Sequence, residues 1–350
     1  MMDPHVHLRG MAWAHKGTFA SETAAALAGG YTLVLDMPNT PPCTISRSAL
    51  DHKLAEIRAQ AVCDWGVYFG ASQSGAAADR YAGVSREVCG LKIYCNATTG
   101  DLLVEDQAVR RQIYAAWPGE QVIAVHAEGT TVLDILDLVR QTGRRTHFCH
   151  VSTAEEMGYL AQAKDEGLPI SIGVTPHHLY LTHDDLPRLG PVGLVKPELK
   201  SPADQQALWD AVACGVVDII ESDHAPHTLT EKQSGEPPFG VPGLETTLGL
   251  MLLAVQEKRL DLERLTALVA TNPRRIFGAT NAPETYTRVD MGQTWVVEDE
   301  KLLTAARWSP FAGMRLPGRV IEVRVRGVKV YNGERIVAAN GFGMNTFGDA

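Results

Sequence analysis

The sequence predicts an eight-stranded (β/α) barrel of the TIM type with a small β appendage, a partial β-sandwich, at its C-terminal end. Three observations carry that expectation. Short β-branched and apolar runs recur along the chain, a helical pattern follows each of them, and no G-x-G-x-x-G turn of a doubly wound open sheet is present.

Eight runs read as strands: DPHVH at 3–7, TLVLDM at 32–37, WGVYFGA at 65–71, GLKIYC at 90–95, VIAVHA at 122–127, THFCHV at 146–151, ISIGV at 170–174 and VDIIES at 217–222. Helical patterns between them include 46–61, 130–141, 154–166 and 202–213. The third is opened by Ser152 and Thr153 with Glu155 and Glu156 in its first turn, the arrangement that satisfies the free N–H groups of a helix start. Strand then helix, repeated, means a parallel sheet. After about Phe277 the character changes. VIEVRVRGVKVYNGERIV at 320–337 alternates apolar and polar residues around Asn332-Gly333, which predicts an antiparallel hairpin turning there. The expected division is a barrel over 1–277 and a β-sandwich remnant with tail over 278–350.

With 350 residues, 45% hydrophobic and 21% charged, the composition fits one large globular domain plus a smaller one. A net charge of -9 without any Lys/Arg-rich run argues against a nucleic-acid partner. No window reaches the ~18 apolar residues of a membrane span, and MMDPHVHLRG lacks the basic and apolar blocks of an export leader. The six cysteines include no C-x-x-C pair, so reduced thiols and a cytoplasmic location are expected.

Almost every strand candidate ends in a metal-competent or polar residue, and barrel enzymes build their sites at those carboxyl ends. His5 and His7 lie two apart and project to one side of an extended segment; His126 ends VIAVH, His150 ends HFCH and Asp223 follows VDIIES. Lys92 sits between Leu91 and Ile93, where an unpaired ammonium would be costly to bury. Carbamylation by carbon dioxide would turn it into an anion able to bridge two metals. Four imidazoles, a carboxylate and that oxygen donor suit two zinc ions. Singly these signs are weak, since H-x-H is common by chance and Asp223 alone could cap a helix; a cap would not explain five other ligands. Cys149, beside His150, should point the opposite way along its strand into the core.

At this point the chain resembles a known family. D-P-H-V-H-L-R-G at 3–10 and S-D-H-A-P-H-T at 222–228 look like the two signatures of the dihydroorotases in the amidohydrolase superfamily. Further matches are M-P-N-T at 37–40, G-L-K-I-Y at 90–94, V-H-A-E at 125–128, C-H-V-S at 149–152, P-H-H-L at 176–179, G-V-P-G-L-E-T at 240–246, N-P-R-R-I-F at 272–277 and W-S-P-F at 308–311. The likeness runs from Met2 to about Gly343 and leans toward the type in the multifunctional animal pyrimidine enzyme, with its carbamylated lysine.

The resemblance implies that His5 and His7 hold the first zinc, His126 and His150 the second, carbamylated Lys92 bridges them, and Asp223 both ligates the first zinc and serves as acid/base. It further implies that Arg9, Asn39 and His227 bind the free α-carboxylate of the substrate, while backbone groups from Phe239 and Gly240 to Pro242 and Gly243 hold its ring. The implied reaction is the reversible cyclisation of N-carbamoyl-L-aspartate to L-dihydroorotate. The expected partners are that small molecule, a second copy of the chain as a homodimer, and an aspartate transcarbamoylase. Three departures from the family stand out. The family usually carries strands before H-x-H and this sequence begins just ahead of His5, so either a truncated start or an incomplete sandwich is expected; N-A-T-T replaces a threonine–phenylalanine pair at 96–99, so looser closure is expected; and Lys196 stands where an Asn or Arg usually precedes Pro, at a position able to favour an anion or simply to face water. Two rivals share the motifs. A hydantoinase or allantoinase would keep every metal ligand but give Arg9 nothing to bind, and an inactive scaffold for aspartate transcarbamoylase would usually lack several ligands.

Overall fold

The structure is a computed structural model that describes residues 1–74 and 81–348. Eight parallel strands, β1 (Met2–Val6), β2 (Leu33–Asp36), β3 (Asp64–Gly70), β4 (Gly90–Tyr94), β5 (Val122–His126), β6 (Thr146–Phe148), β7 (Ile170–Val174) and β8 (Ile219–Ile220), pair in chain order as a nearly closed barrel. All eight strands predicted from apolar runs are present. Helices cover the outside, so strands such as β3 are buried on both faces and carry no polar alternation. The predicted helices form as Arg47–Gln60, Thr131–Thr142, Ala154–Asp165 and Pro202–Cys214. Thr153 and Glu156 close a reciprocal cap at the start of the third, and Gly143 and Gly215 end the second and fourth in the left-handed conformation.

The ring closes beyond the short β8. Val6 pairs with His224 as a parallel bridge, and His7 N–H donates to His224 O at 2.7 Å. The seam of the barrel therefore joins the two segments that carry His5, His7 and Asp223.

The C-terminal appendage is a three-stranded antiparallel sheet, β9 (Tyr286–Val296), β10 (Arg315–Val325) and β11 (Val328–Tyr331), in the order β11-β10-β9. Here the predicted hairpin needs correction. Its chain reversal lies at Arg326-Gly327, with φ of 50° and 75°, and not at Asn332-Gly333. Pairing of the long β10 against β9 sets where β10 ends, and Gly327 supplies the positive φ that a two-residue turn needs. Asn332-Gly333 makes a smaller turn, closed by a Tyr331–Ile336 bridge. Among the described residues no helix is long and apolar enough to cross a membrane.

Candidate functional site

The carboxyl end of β1 is held by a buried ion pair invisible in the motif. Lys53 Nζ lies 2.7 Å from Asp36 Oδ2, both side chains fully enclosed, while Asp36 Oδ1 accepts Leu8 N–H at 2.8 Å. That acceptor turns the chain sharply after His7. Arg9 and Gly10 both take φ of 63°, and a Cβ on Gly10 would meet the Phe19 ring at 2.6 Å, so glycine is required there. His150 and Asp223 also have positive φ, 39° and 44°. Strained backbone at the ends of β1, β6 and β8 thus aims three of the predicted side chains inward.

The predicted metal ligands converge. Asp223 Oδ1 lies 3.3 Å from His5 Nε2 and 3.2 Å from His7 Nε2, and His126 Nδ1 lies 3.1 Å from His150 Nε2. Donor atoms of His5, His150 and Asp223 fall within 4.8 Å of one another. The buried Nδ1 atoms of His5 and His150 have no hydrogen-bond partner. Burial, then Lys92, pulls His5 down to about 4, and burial with His126 holds His150 well below its ordinary range, so these rings are neutral and present lone pairs. Burial would raise Asp223, but His5 and His7 outweigh it and keep the carboxyl ionised. Neutral imidazoles around a carboxylate form a donor set that fits divalent zinc. Asn39 Oδ1, 2.8 Å from His7 Nδ1, orients that ring from behind.

Lys92 is fully buried beneath this cluster, and no carboxylate lies within 4.0 Å of it among the described residues. Its Nζ donates to Cys149 Sγ at 3.1 Å and stands over the Tyr94 ring. Cys149 was expected to face away; it does belong to the core, yet it reaches Lys92, because β6 ends at Phe148 and the left-handed turn at His150 breaks the strand alternation. Two further residues escaped the sequence reading. Glu221 is enclosed with His147, 3.0 Å away, and accepts His150 N–H at 2.6 Å; an acid inside the apolar run VDIIES was the available sign. His177 is buried with an unpartnered Nε2 and is electrostatically coupled to Asp223.

The other wall of the cleft is cationic. Arg9 is 1% exposed, and among the described residues no carboxylate lies within 4.0 Å of it. Its Nε donates to Pro226 O at 2.9 Å, its Nη2 lies 3.0 Å from His227 Nε2, and burial pulls it down to about 10. His227 stands behind Arg9, with Nε2 3.0 Å from Phe239 O and Nδ1 3.1 Å from Lys16 Nζ, a lysine the sequence reading did not single out. Asn39 Nδ2 donates to Thr99 O at 3.0 Å.

The cleft is lined by His5, His7, Arg9, Asn39, Asp223 and Gly240, with Thr98, Thr99, Lys196 and Phe239 at its rim. The loop of residues 96–99 is thus laid over the site, and Asn96 Oδ1 anchors it by accepting Glu128 N–H at 2.9 Å. Lys196 Nζ reaches the rim but pairs with Glu198 at 2.7 Å. Two residues expected at the ring site lie elsewhere. Pro242 borders a separate small cavity with His224 and Leu244, and Gly243 N–H is engaged by His224 Nδ1 at 3.1 Å. The chain crosses from the cleft to the barrel wall there, so only Phe239 and Gly240 reach the opening.

Known proteins with related sequences and folds narrow the chemistry. The chain is 40% identical over 348 residues to the multifunctional protein CAD of Squalus acanthias, covering 99% of this chain and 15% of that protein. It is 31% identical over 380 residues to the dihydroorotase of Halobacterium salinarum, covering 97% of this chain and 87% of that protein. Among solved structures, L-hydantoinase (dihydropyrimidinase) from Arthrobacter aurescens superimposes with a TM-score of 0.92 at 25% identity, over 99% of this chain and 87% of that one. No protein-family model matches the chain.

Proposed function

The chain belongs to the dihydroorotase family, and on that premise we propose that it catalyses the zinc-dependent, reversible cyclisation of N-carbamoyl-L-aspartate to L-dihydroorotate in de novo pyrimidine (UMP) synthesis. The observation that carries this reading is a buried guanidinium, Arg9, with no carboxylate within 4.0 Å among the described residues, set beside a cluster of neutral imidazoles around Asp223. Such a cation needs an anion to offset its burial, and a substrate carboxylate supplies one.

In this reading His5, His7 and Asp223 would hold one zinc and His126 and His150 a second, with carbamylated Lys92 as the further anionic ligand. When bound, the two ions polarise the amide carbonyl and acidify water. Arg9 and Asn39, which line the cleft, grip the α-carboxylate and so fix the ring amide against Asp223, while His227 stands behind Arg9 outside the lining. In the hydrolytic direction Asp223 takes the proton of the attacking water and delivers it to the ring nitrogen as the C–N bond breaks; cyclisation runs the same transfer backward. Phe239 and Gly240 bound the ring. A Cβ at Gly240, whose φ is 129°, would meet Ala225 O at 2.7 Å, so this approach of two backbones excludes larger residues.

We extend the proposal to assembly: aspartate transcarbamoylase as a partner, supported by the alignment of this chain with 15% of the length of multifunctional relatives, and a homodimer, which rests on the family resemblance alone. The division at 277/278 is part of the same proposal. The test of function is a side-by-side assay of zinc-loaded protein on dihydroorotate, dihydrouracil, hydantoin and allantoin. Dihydroorotate should be turned over with the highest kcat/KM; preference for a ring without a carboxylate would replace this reading with a hydantoinase one.

A further inference from the structure

His227 has two ring nitrogens in contact with groups that make opposite demands. Lys16 Nζ lies 3.1 Å from Nδ1, Phe239 O lies 3.0 Å from Nε2, and Arg9 Nη2 lies 3.0 Å from the same Nε2. Burial, together with Arg9, Lys16 and Lys232, holds the ring far below its ordinary range, so it carries one proton. An ammonium has donors and no acceptor. Lys16 is itself anchored, 3.1 Å from Glu231 Oε1 and over the Trp13 ring, and is almost fully enclosed. Beside it Nδ1 can only accept, which places the proton on Nε2 and directs it to Phe239 O. Arg9 Nη2 then faces a donor and keeps its own N–H unengaged. In the other tautomer Nε2 would accept from Arg9, Phe239 O would lose its donor, and the guanidinium would be satisfied within the protein.

We propose that Lys16 is a positioning residue that locks His227 in the Nε2–H tautomer and thereby keeps Arg9 available for the substrate carboxylate. The lock itself follows from contacts within the protein; its effect on substrate rests on the carboxylate reading above. Removing Lys16 lets Nδ1 carry the proton toward Glu231 Oε2, 3.9 Å away, and lets Nε2 compete for Arg9.

The test is nitrogen NMR of histidine-labelled, zinc-loaded protein without substrate, with the His227 signals assigned by their loss in His227→Asn. The parent should show an unprotonated Nδ1, and Lys16→Met a protonated one. Lys16→Arg, which also only donates, should keep the parent pattern. In kinetics Lys16→Met should raise KM for dihydroorotate about tenfold or more with kcat largely kept and zinc content unchanged. A protonated Nδ1 in the parent overturns the lock whatever the variants do, as does an unchanged pattern in folded Lys16→Met. A switched tautomer with unchanged KM overturns the link to Arg9. If Arg9→Met itself leaves dihydroorotate turnover intact, the carboxylate reading falls while the tautomer result stands by itself.

Discussion

At the carboxyl ends of the barrel strands the buried side chains are polar and each depends on a named partner: Asp36 on Lys53, Asp223 on His5 and His7, Glu221 on His147. In the sheet of β9 to β11 only one face is closed, where Leu316 and Gly318 rest on Gly249 and Leu252 of the helix Thr247–Gln256, while most of β9 meets solvent. The first region is specified group by group, because a buried polar atom that loses its partner keeps the full cost of desolvation. The second is specified by apolar area, which tolerates exchange of one side chain for another. Substitutions should therefore act by different routes and with different sizes in the two places.

The largest effect is expected at Asp223. Asp223→Asn keeps the shape and an oxygen ligand but cannot carry the proton, so kcat should fall by at least ~10²–10⁴-fold with the fold and the zinc content retained. Stopped or steady-state assays with metal analysis measure both, and unchanged turnover would show that the strand ends do not work residue by residue. Next is Lys53→Met, which strands Asp36 without its counter-ion. Chemical denaturation should show a loss of about 3–5 kcal/mol, and activity should drop as the turn carrying Arg9 loosens. A loss below about 1 kcal/mol, the size of a surface pair, would remove Asp36–Lys53 from the account. Arg9→Met should lower kcat/KM for dihydroorotate by ~10- to 100-fold, leave zinc bound, and hardly change the low rate on dihydrouracil. The smallest is Gly327→Ala in the appended sheet. Left-handed φ should cost about 1–2 kcal/mol in a melting experiment while kcat and KM stay at parent values. A change in kinetics there would show that the sheet and the strand ends are coupled.

The same contrast explains what was readable beforehand. Barrel strands covered on both faces are continuous apolar runs, and polar residues within them or just beyond their ends stand out; that is why His5, His7, Lys92, His126, His150 and Asp223 could be named, and the strand ends bring His5 and His7 to Asp223 and His126 to His150. The half-exposed β9 has no such pattern and escaped notice, and without β9 nothing in the sequence weighs Arg326-Gly327 against the stronger turn pair Asn332-Gly333. Cys149 was misdirected by a period-two argument carried past the point where the strand stops. Lys53, Lys16 and Glu221 sit in helix, loop and strand with ordinary local sequence; only their tertiary neighbours give them meaning.

The closure of the barrel between Val6 and His224 has a kinetic side. The contacts that finish the ring, such as Arg9 with Pro226, span 217 residues and are among the most non-local in the chain. Chain-closure entropy makes such contacts late to form. The same closure brings Asp223 to His5 and His7, so the three-residue cluster cannot be complete on a chain still emerging from the ribosome with its last strand unmade. In the proposed two-ion reading, capture of the ion that these three would hold waits until the ring is complete, whereas His126 and His150 lie on strands made earlier.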